Sequence, residues 1–203
     1  MGLKLTLEKE VENMKFGKKK IFYLVVGAVI VTFILGGVYY YFGSKKSIIS
    51  EGDTLDYQVD VTVAGYGTIS GGITYEVIDV SEDRIIISIT PTGELSNLWD
   101  ESVERVEREE PTTYSEIKEK GEFLGAEAIS TQMGVFEVDH YRYENQITYQ
   151  SETGFVQGLE NTDVYVENNT GMTVKMKVSS PEGYSVEMVI SDTTIKHLQN
   201  QAM

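Results

Sequence analysis

The sequence predicts a mainly β protein, in which a single transmembrane helix precedes an antiparallel curved sheet or half-barrel. Three observations predict this fold class. An uncharged apolar run covers residues 21–42. Beyond it, apolar and polar residues alternate with a period of two, which is typical of half-buried strands. Short connectors rich in Gly, Asn and Pro separate the alternating segments, as in an antiparallel meander. A β-sandwich of the same strands is the alternative.

The apolar run is long enough to cross a cell membrane once. About 22 residues at about 1.5 Å each reach about 33 Å, which matches the hydrocarbon core. Six lysines precede the run, whereas Lys45 and Lys46 are the last basic residues before Arg84. Because basic residues near a span stay in the cytoplasm, we expect the N-terminus inside and the C-terminal domain outside. A cleaved signal peptide is the alternative, but its apolar core is about 7–15 residues long.

Small residues recur within the run at four-residue spacing, at Ala28, Thr32 and Gly36. Such a stripe lets two membrane helices approach closely. The stripe is compatible with a homodimer through the span, but small residues are common in membrane spans, and the sequence favours a helix without this contact.

The composition changes along the chain and divides it into parts. The outer domain has room for one core and little more. The predicted parts are a cytoplasmic segment (1–20), a transmembrane anchor (21–43), a linker (44–52), an extracellular β domain (53–195) and a tail (196–203).

Alternation and turn residues define the strands of the outer domain. The connector Asn145-Gln146 is predicted to be a turn, since Asn tolerates a positive φ. The predicted strands are residues 56–63, 68–80, 84–90, 122–131, 135–144, 147–152, 164–167, 172–179 and 184–191.

One stretch departs from the two-residue alternation. Residues 94–120 are predicted to be an acidic, partly helical insertion. Trp99, Val103 and Val106 recur there at helical spacing, with acidic residues between them.

The outer part of the chain is strongly acidic. Residues 48–203 contain 29 Asp and Glu against 9 Lys and Arg. Such a charge repels nucleic acid and attracts cations and basic surfaces. The chain has no cysteine, which excludes disulfides, thiolate metal sites and lipoprotein acylation. No metal or other cofactor is expected, because the acidic clusters lack the calcium-loop pattern.

Catalysis is not expected from the motifs. The histidines are His140 and His197, and no nucleophile, P-loop or zinc motif accompanies them. His140 follows Asp139, and alternation places it on the same strand face as Phe136 and Val138. The sequence therefore favours a surface histidine paired with a carboxylate, and an enzyme built on His140 is the minor alternative.

A glycosylation sequon lies in a predicted exposed turn. Asn168-Asn169-Thr170 fits N-x-[ST], so Asn168 is the candidate acceptor if the cell glycosylates exported proteins.

The order of strands and turns resembles lipoprotein-sorting-like (LolA/LppX-like) and DUF3108-like envelope domains. The resemblance rests on Glu127–Tyr141, on the acidic Gly turn within Tyr165–Met172, and on the closing strand Met188–Ile195. It covers about residues 122–195, and similar modules occur in archaeal membrane-anchored proteins. The resemblance implies a curved antiparallel sheet around an apolar cavity.

These observations predict a non-catalytic, membrane-anchored binding module at the cell surface, for an apolar or lipid ligand. The alternative is a structural or adhesive envelope protein whose acidic surface binds cations or protein partners. The residues predicted to line a ligand site are Tyr57, Val59, Val61, Ile85, Ile87, Ile89, Trp99, Phe136, Val138, Val174 and Met176.

Overall fold

Nine strands dominate the structure, a computed structural model that describes residues 49–81, 84–98, 100–107, 118–151, 154–180 and 183–202. The described residues belong to one compact unit, Gly36–Met203. A 3-10 helix covers Glu94–Asn97, and a short α-helix, α1, covers Lys196–Gln199. The strands are β1 Thr54–Val63, β2 Gly67–Val80, β3 Arg84–Gly93, β4 Ser102–Glu107, β5 Glu122–Ser130, β6 Val135–Ser151, β7 Gly154–Glu167, β8 Thr173–Ser179 and β9 Tyr184–Thr193.

The nine described strands form one open, curved antiparallel sheet in the order β4-β3-β2-β1-β9-β8-β7-β6-β5. Two meanders, β1 to β4 and β5 to β9, meet where β1 pairs with β9. Within the described part of the chain, β4 and β5 are the two edges. The predicted mainly β, antiparallel fold is confirmed. The sandwich alternative is wrong, because the described strands share one sheet.

The helical prediction around Val103 and Val106 is wrong. Residues 102–107 form β4, which pairs with β3 so that Val103 lies opposite Ser88 and Val106 opposite Ile85. Valine is β-branched and favours strands, and the open edge of β3 supplies backbone partners that a short helix would not have. A three-residue spacing alone does not distinguish the two structures. Trp99 lies outside the described residues.

The predicted turn at Asn145-Gln146 is also wrong. Strand β6 runs through it without interruption, with Asn145 opposite Glu160 and Gln146 opposite Leu159 on β7. The two predicted strands on either side are therefore one strand of 17 residues. The long ladder to β7 satisfies the backbone here, so the tolerance of Asn for turns is not used.

Cross-strand pairing places most of the buried side chains on one side of the sheet, here called the apolar face. Paired residues in antiparallel strands share a face, and the register links Val59 to Met188, Met188 to Met176, Met176 to Val164 and Val164 to Tyr141. Each member is at most 6% exposed. The apolar face comprises Leu55, Tyr57, Val59, Val61, Ile73, Tyr75, Val77, Ile85, Ile87, Ile89, Tyr141, Val164, Val174, Met176, Val178, Val186, Met188 and Ile190.

The opposite side, here called the polar face, is bent sharply in its C-terminal half. In the turn between β5 and β6, Gln132 Nε2 donates to Gln58 Oε1 of β1 at 3.2 Å. Four strand spacings separate β1 from β6, which is roughly 19 Å in a flat sheet. The sheet therefore curls toward its polar face at this point.

No helix within the described residues is both long enough and apolar enough to cross a bilayer. The predicted anchor at residues 21–42 and its small-residue stripe lie outside those residues, so both stay predictions.

The 3-10 helix lies against the apolar face where β2 lacks a side chain. A Cβ built on Gly71 would meet the carbonyl oxygen of Thr92 and lie 2.8 Å from Leu95 Cγ. Leu95 is fully buried. The missing side chain is what allows the chain after β3 to fold back onto the sheet.

Gly71→Ala should lower the free energy of unfolding by about 1–3 kcal/mol, because the added methyl overpacks this contact. Thr68→Ala, an exposed change on the same strand, is the control and should stay within about 0.5 kcal/mol. Chemical denaturation of the full chain measures both. Equal values for the two variants would contradict the close approach of Leu95.

Candidate functional site

The apolar face unites eight of the eleven predicted lining residues. Tyr57, Val59, Val61, Ile85, Ile87, Ile89, Val174 and Met176 all lie on it and are buried. They come from β1, β3 and β8, which the sheet order separates by as many as four steps. Together with β2, β9, β7 and β6 these strands make an apolar surface that runs across seven neighbouring strands.

Phe136 and Val138 lie on the polar face instead. Along β6 they alternate with Tyr141, which the pairing with Val164 assigns to the apolar face. Both are fully buried where the sheet curls. Alternation gave their shared face correctly, but the face on which they lie follows from the register with β7, which the sequence does not reveal.

Two tyrosines on the apolar face differ in how their hydroxyls are satisfied. Tyr57 and Tyr75 meet edge to face, with ring centroids 5.8 Å apart and planes at 85°. Tyr57 Oη donates to the carbonyl oxygen of Thr173 at 3.0 Å. For Tyr75 Oη, the described residues offer no hydrogen-bond partner, although Tyr75 is only 3% exposed.

Burial raises the pKa of both tyrosines well above the ordinary value. For Tyr75 the neighbouring Tyr57 adds to the increase in pKa. Both side chains therefore stay neutral and keep their hydroxyl protons as donors.

The helices with described bounds are too short to cover the apolar face. The 3-10 helix and α1 contain four residues each. The first lies over Gly71 through Leu95, and the second buries Leu198 beside the end of β9. A layer that covers an apolar sheet face normally needs longer elements.

His140 is the centre of a polar cluster on the other face. Its Nδ1 lies 3.0 Å from Glu127 Oε1, and its Nε2 lies 3.0 Å from Asp163 Oδ1. The imidazole stacks on Tyr165 with centroids 4.1 Å apart. A neutral imidazole has one N–H, so both contacts are hydrogen bonds only when the ring carries two protons.

Arg142 completes this cluster through Asp163. Its Nε and a terminal nitrogen donate to the two carboxylate oxygens at 2.8 and 3.2 Å. Burial acts to raise the pKa of Asp163, but hydrogen bonds from Arg142 and His140 outweigh it, and the pKa falls below 3.8. The same bond, with the attraction of Asp163, raises the pKa of Arg142.

The cluster joins β5, β6 and β7, and its charged side chains pair with one another. Asp139 lies on the opposite face from His140, as the alternation along β6 requires, and the carboxylate partners of His140 come from β5 and β7. His197 is exposed in α1. Within the described part of the chain, no group of three or more His, Asp or Glu side chains is placed to hold a metal ion.

A half-open cleft of about 370 Å³ also lies on the polar face. Its two acidic residues, Asp60 and Glu187, are directly opposed across β1 and β9. Glu187 Oε1 is 2.8 Å from Lys175 Nζ, and Ser70 Oγ donates to Asp60 Oδ1. The cleft is therefore a polar environment with satisfied charges. Its lining residues are Gln58, Asp60, Ser130, Thr131, Gln132, Glu187, Val189, Ile190 and Ser191.

The turn that holds the sequon is organised by a buried acid that the sequence analysis missed. Glu167 is 2% exposed, and its carboxylate accepts from the backbone N–H groups of Asn169 at 2.9 Å and Thr170 at 2.6 Å. The Thr170 hydroxyl also donates to it at 2.6 Å. Asn168 is exposed. Glycosylation of Asn168 stays a prediction.

Comparison with known proteins finds no matching family model and no matching curated protein. The solved structures to which the fold is similar include an exported protein with a YmcC-like fold from Bacteroides fragilis. It is 11% identical, with 76% of this chain and 99% of that one covered and a TM-score of 0.46.

Two further neighbours belong to the lipoprotein-sorting class that the sequence resembles. One is a LolA superfamily protein from Nitrosomonas europaea, 8% identical over 80% of this chain and 91% of that one, with a TM-score of 0.31. The other is an outer membrane lipoprotein-sorting protein domain from Vibrio parahaemolyticus, 10% identical over 71% and 86%, with a TM-score of 0.28. Likenesses this distant carry no argument about a ligand.

The carboxylate of Asp163 should contribute stability that depends on pH. Because its folded pKa is lowered, this contribution is present above the unfolded pKa and is lost as the pH falls through the folded pKa. Asp163→Asn should lower the free energy of unfolding by about 2 kcal/mol at neutral pH. Below about pH 5 the free energy of unfolding of this variant should fall less steeply than that of the wild type.

Glu137→Gln, which changes an exposed carboxylate on β6, is the matched control. It should leave the decrease in the free energy of unfolding at acidic pH as it is in the wild type. Denaturation curves at several pH values measure both variants. If the free energy of unfolding of Asp163→Asn falls at acidic pH as steeply as that of the wild type, the Asp163 carboxylate does not stabilise the fold in the way described.

Proposed function

We propose that residues 53–195 form a non-catalytic binding module that holds an apolar or lipid ligand against the apolar face. The observation that carries the proposal is the extent of that face. It crosses seven strands without a break, and the helices with described bounds contain four residues each. An apolar surface of this extent needs a covering layer, and its side chains are at most 6% exposed without a ligand, so the bound ligand would take the place of part of that cover.

The chemistry of the face suits a flexible apolar chain. Aliphatic side chains dominate it, and Met176 lies directly opposite Met188 near its middle. Methionine side chains are unbranched and adapt to irregular partners. The polar side chains whose contacts the structure describes on the other face are engaged with one another, so the apolar face is the better candidate for a lipid.

The sequence supports a location for this module. The apolar run at residues 21–42 and the lysines before it favour a single-pass anchor with a cytoplasmic N-terminus and the β domain outside the cell. An anchored module of this kind would bind its ligand close to a membrane surface.

Native mass spectrometry of the full chain, purified from its own membrane in a non-ionic detergent, should show a bound lipid. Met176→Trp should lower the bound fraction with little change in melting temperature, because the larger ring fills space that the ligand occupies. In a face packed without a ligand, the same change should cost about 1–3 kcal/mol.

Ile78→Trp is the matched control, since Ile78 is 42% exposed and its change leaves the apolar face untouched. The control should keep wild-type lipid binding. Absence of bound lipid from the wild type, together with a strongly destabilised Met176→Trp variant, would contradict the proposed function.

A further inference from the structure

Tyr75 is packed within the apolar face, on the second of the seven strands that form it. It lies on β2, opposite Leu55 of β1 on one side and Ile89 of β3 on the other. These neighbours are at most 1% exposed, and Tyr75 itself is 3% exposed. Its ring edge contacts the ring of Tyr57. The phenol is thus surrounded by apolar side chains and by one other aromatic ring.

The hydroxyl of Tyr75 is buried without a hydrogen bond to any described residue. Within the described part of the chain no group accepts its proton, and water is excluded from it. Buried tyrosine hydroxyls usually find a partner, because an unmade bond loses the solvation of the group without replacing it. A phenylalanine would fill the same volume without that loss.

Tyr57 provides an internal comparison. It lies on the same face, has the same side chain and is equally buried, yet its hydroxyl donates to the carbonyl oxygen of Thr173. The backbone of the sheet therefore accepts a hydrogen bond from the Tyr57 hydroxyl, whereas the Tyr75 hydroxyl has no acceptor among the residues that the structure describes. A molecule from outside the chain that enters between the packed side chains of the apolar face would give this donor a partner.

We propose that the Tyr75 hydroxyl is the polar anchor of the ligand site and selects apolar molecules that carry a hydrogen-bond acceptor, such as the carbonyl oxygen of an acyl chain. This inference rests on the proposed function and specifies the ligand class of the same face. A donor in an otherwise apolar site rejects molecules that cannot pair with it, so it separates acyl compounds from plain hydrocarbons.

The anchor should work over the whole pH range in which the protein is folded. Tyr75 stays protonated because burial raises its pKa, and a neutral hydroxyl can donate to a carbonyl without any charge being buried. An ester and a protonated fatty acid offer the same acceptor. A carboxylate would instead bring a charge into the apolar face at a large cost.

The test uses the full chain in a non-ionic detergent with two probes of equal carbon number, methyl laurate and tridecane. Native mass spectrometry with titrated probe gives the affinities. Wild type should prefer methyl laurate, and Tyr75→Phe should weaken methyl laurate binding about five- to tenfold while leaving tridecane unchanged. A ¹³C label on the ester carbonyl should show a hydrogen-bonded infrared stretch in wild type that is lost in Tyr75→Phe.

Tyr57→Phe is the matched control, and ligand-free protein gives a second readout. Without a ligand, Tyr75→Phe should melt at or above the wild-type temperature, because it removes an unpaired donor. Tyr57→Phe should melt lower, because it removes a satisfied hydrogen bond. If Tyr75→Phe melts as low as Tyr57→Phe, the hydroxyl already has a partner and the inference is overturned.

The outcomes separate the two proposals. If wild type binds both probes and Tyr75→Phe changes neither affinity, the binding module stands and the anchor is rejected. If wild type binds neither probe nor any membrane lipid, the proposed function fails and the anchor fails with it. Loss of methyl laurate alone in Tyr75→Phe supports both.

Discussion

The pairing of β1 with β9 holds the described structure together. Strands β1 to β4 and strands β5 to β9 form separate meanders, and the register of Tyr57 with Ile190 and of Val59 with Met188 joins them. Because paired residues share a face, this junction also makes the two apolar surfaces continuous. Two threonines strengthen its end: Thr193 Oγ1 donates to the Thr54 carbonyl at 2.6 Å, and Thr194 Oγ1 accepts from the Thr54 N–H at 2.7 Å.

Local patterns predicted most strands but not their partners. Two-residue alternation is a property of one segment, so β1, β3 and β8 could be recognised without knowing the sheet. Register and strand order depend on contacts between distant segments, and for this reason Phe136 and Val138 were assigned to the wrong side. Residues 102–107 became a strand because β3 offered an edge, an interaction that no short window of sequence contains.

In the candidate site, too, the sequence predicted the features that depend on one segment and not those that depend on strand pairing. Apolar lining residues follow from alternation, and eight of the eleven lie on one face. The polar features did not follow, because each depends on neighbours from other strands. His140 meets Glu127 and Asp163 only when β5, β6 and β7 are side by side. The contrast between Tyr57 and Tyr75 likewise arises from one backbone carbonyl on β8, which the sequence does not mark.

An open sheet also has a consequence for how copies of the protein meet. Among the described strands β5 is an edge, and every one of its residues is exposed or half exposed, including Phe123 at 55% and Leu124 at 42%. Such an edge can recruit the same strand of another molecule and start aggregation. A bulge between Phe123 and Gly125 interrupts its regular ladder, and Glu127 places a charge on it. The strong acidity of residues 48–203 then gives neighbouring molecules like charge, and this repulsion keeps their strand edges apart at low ionic strength.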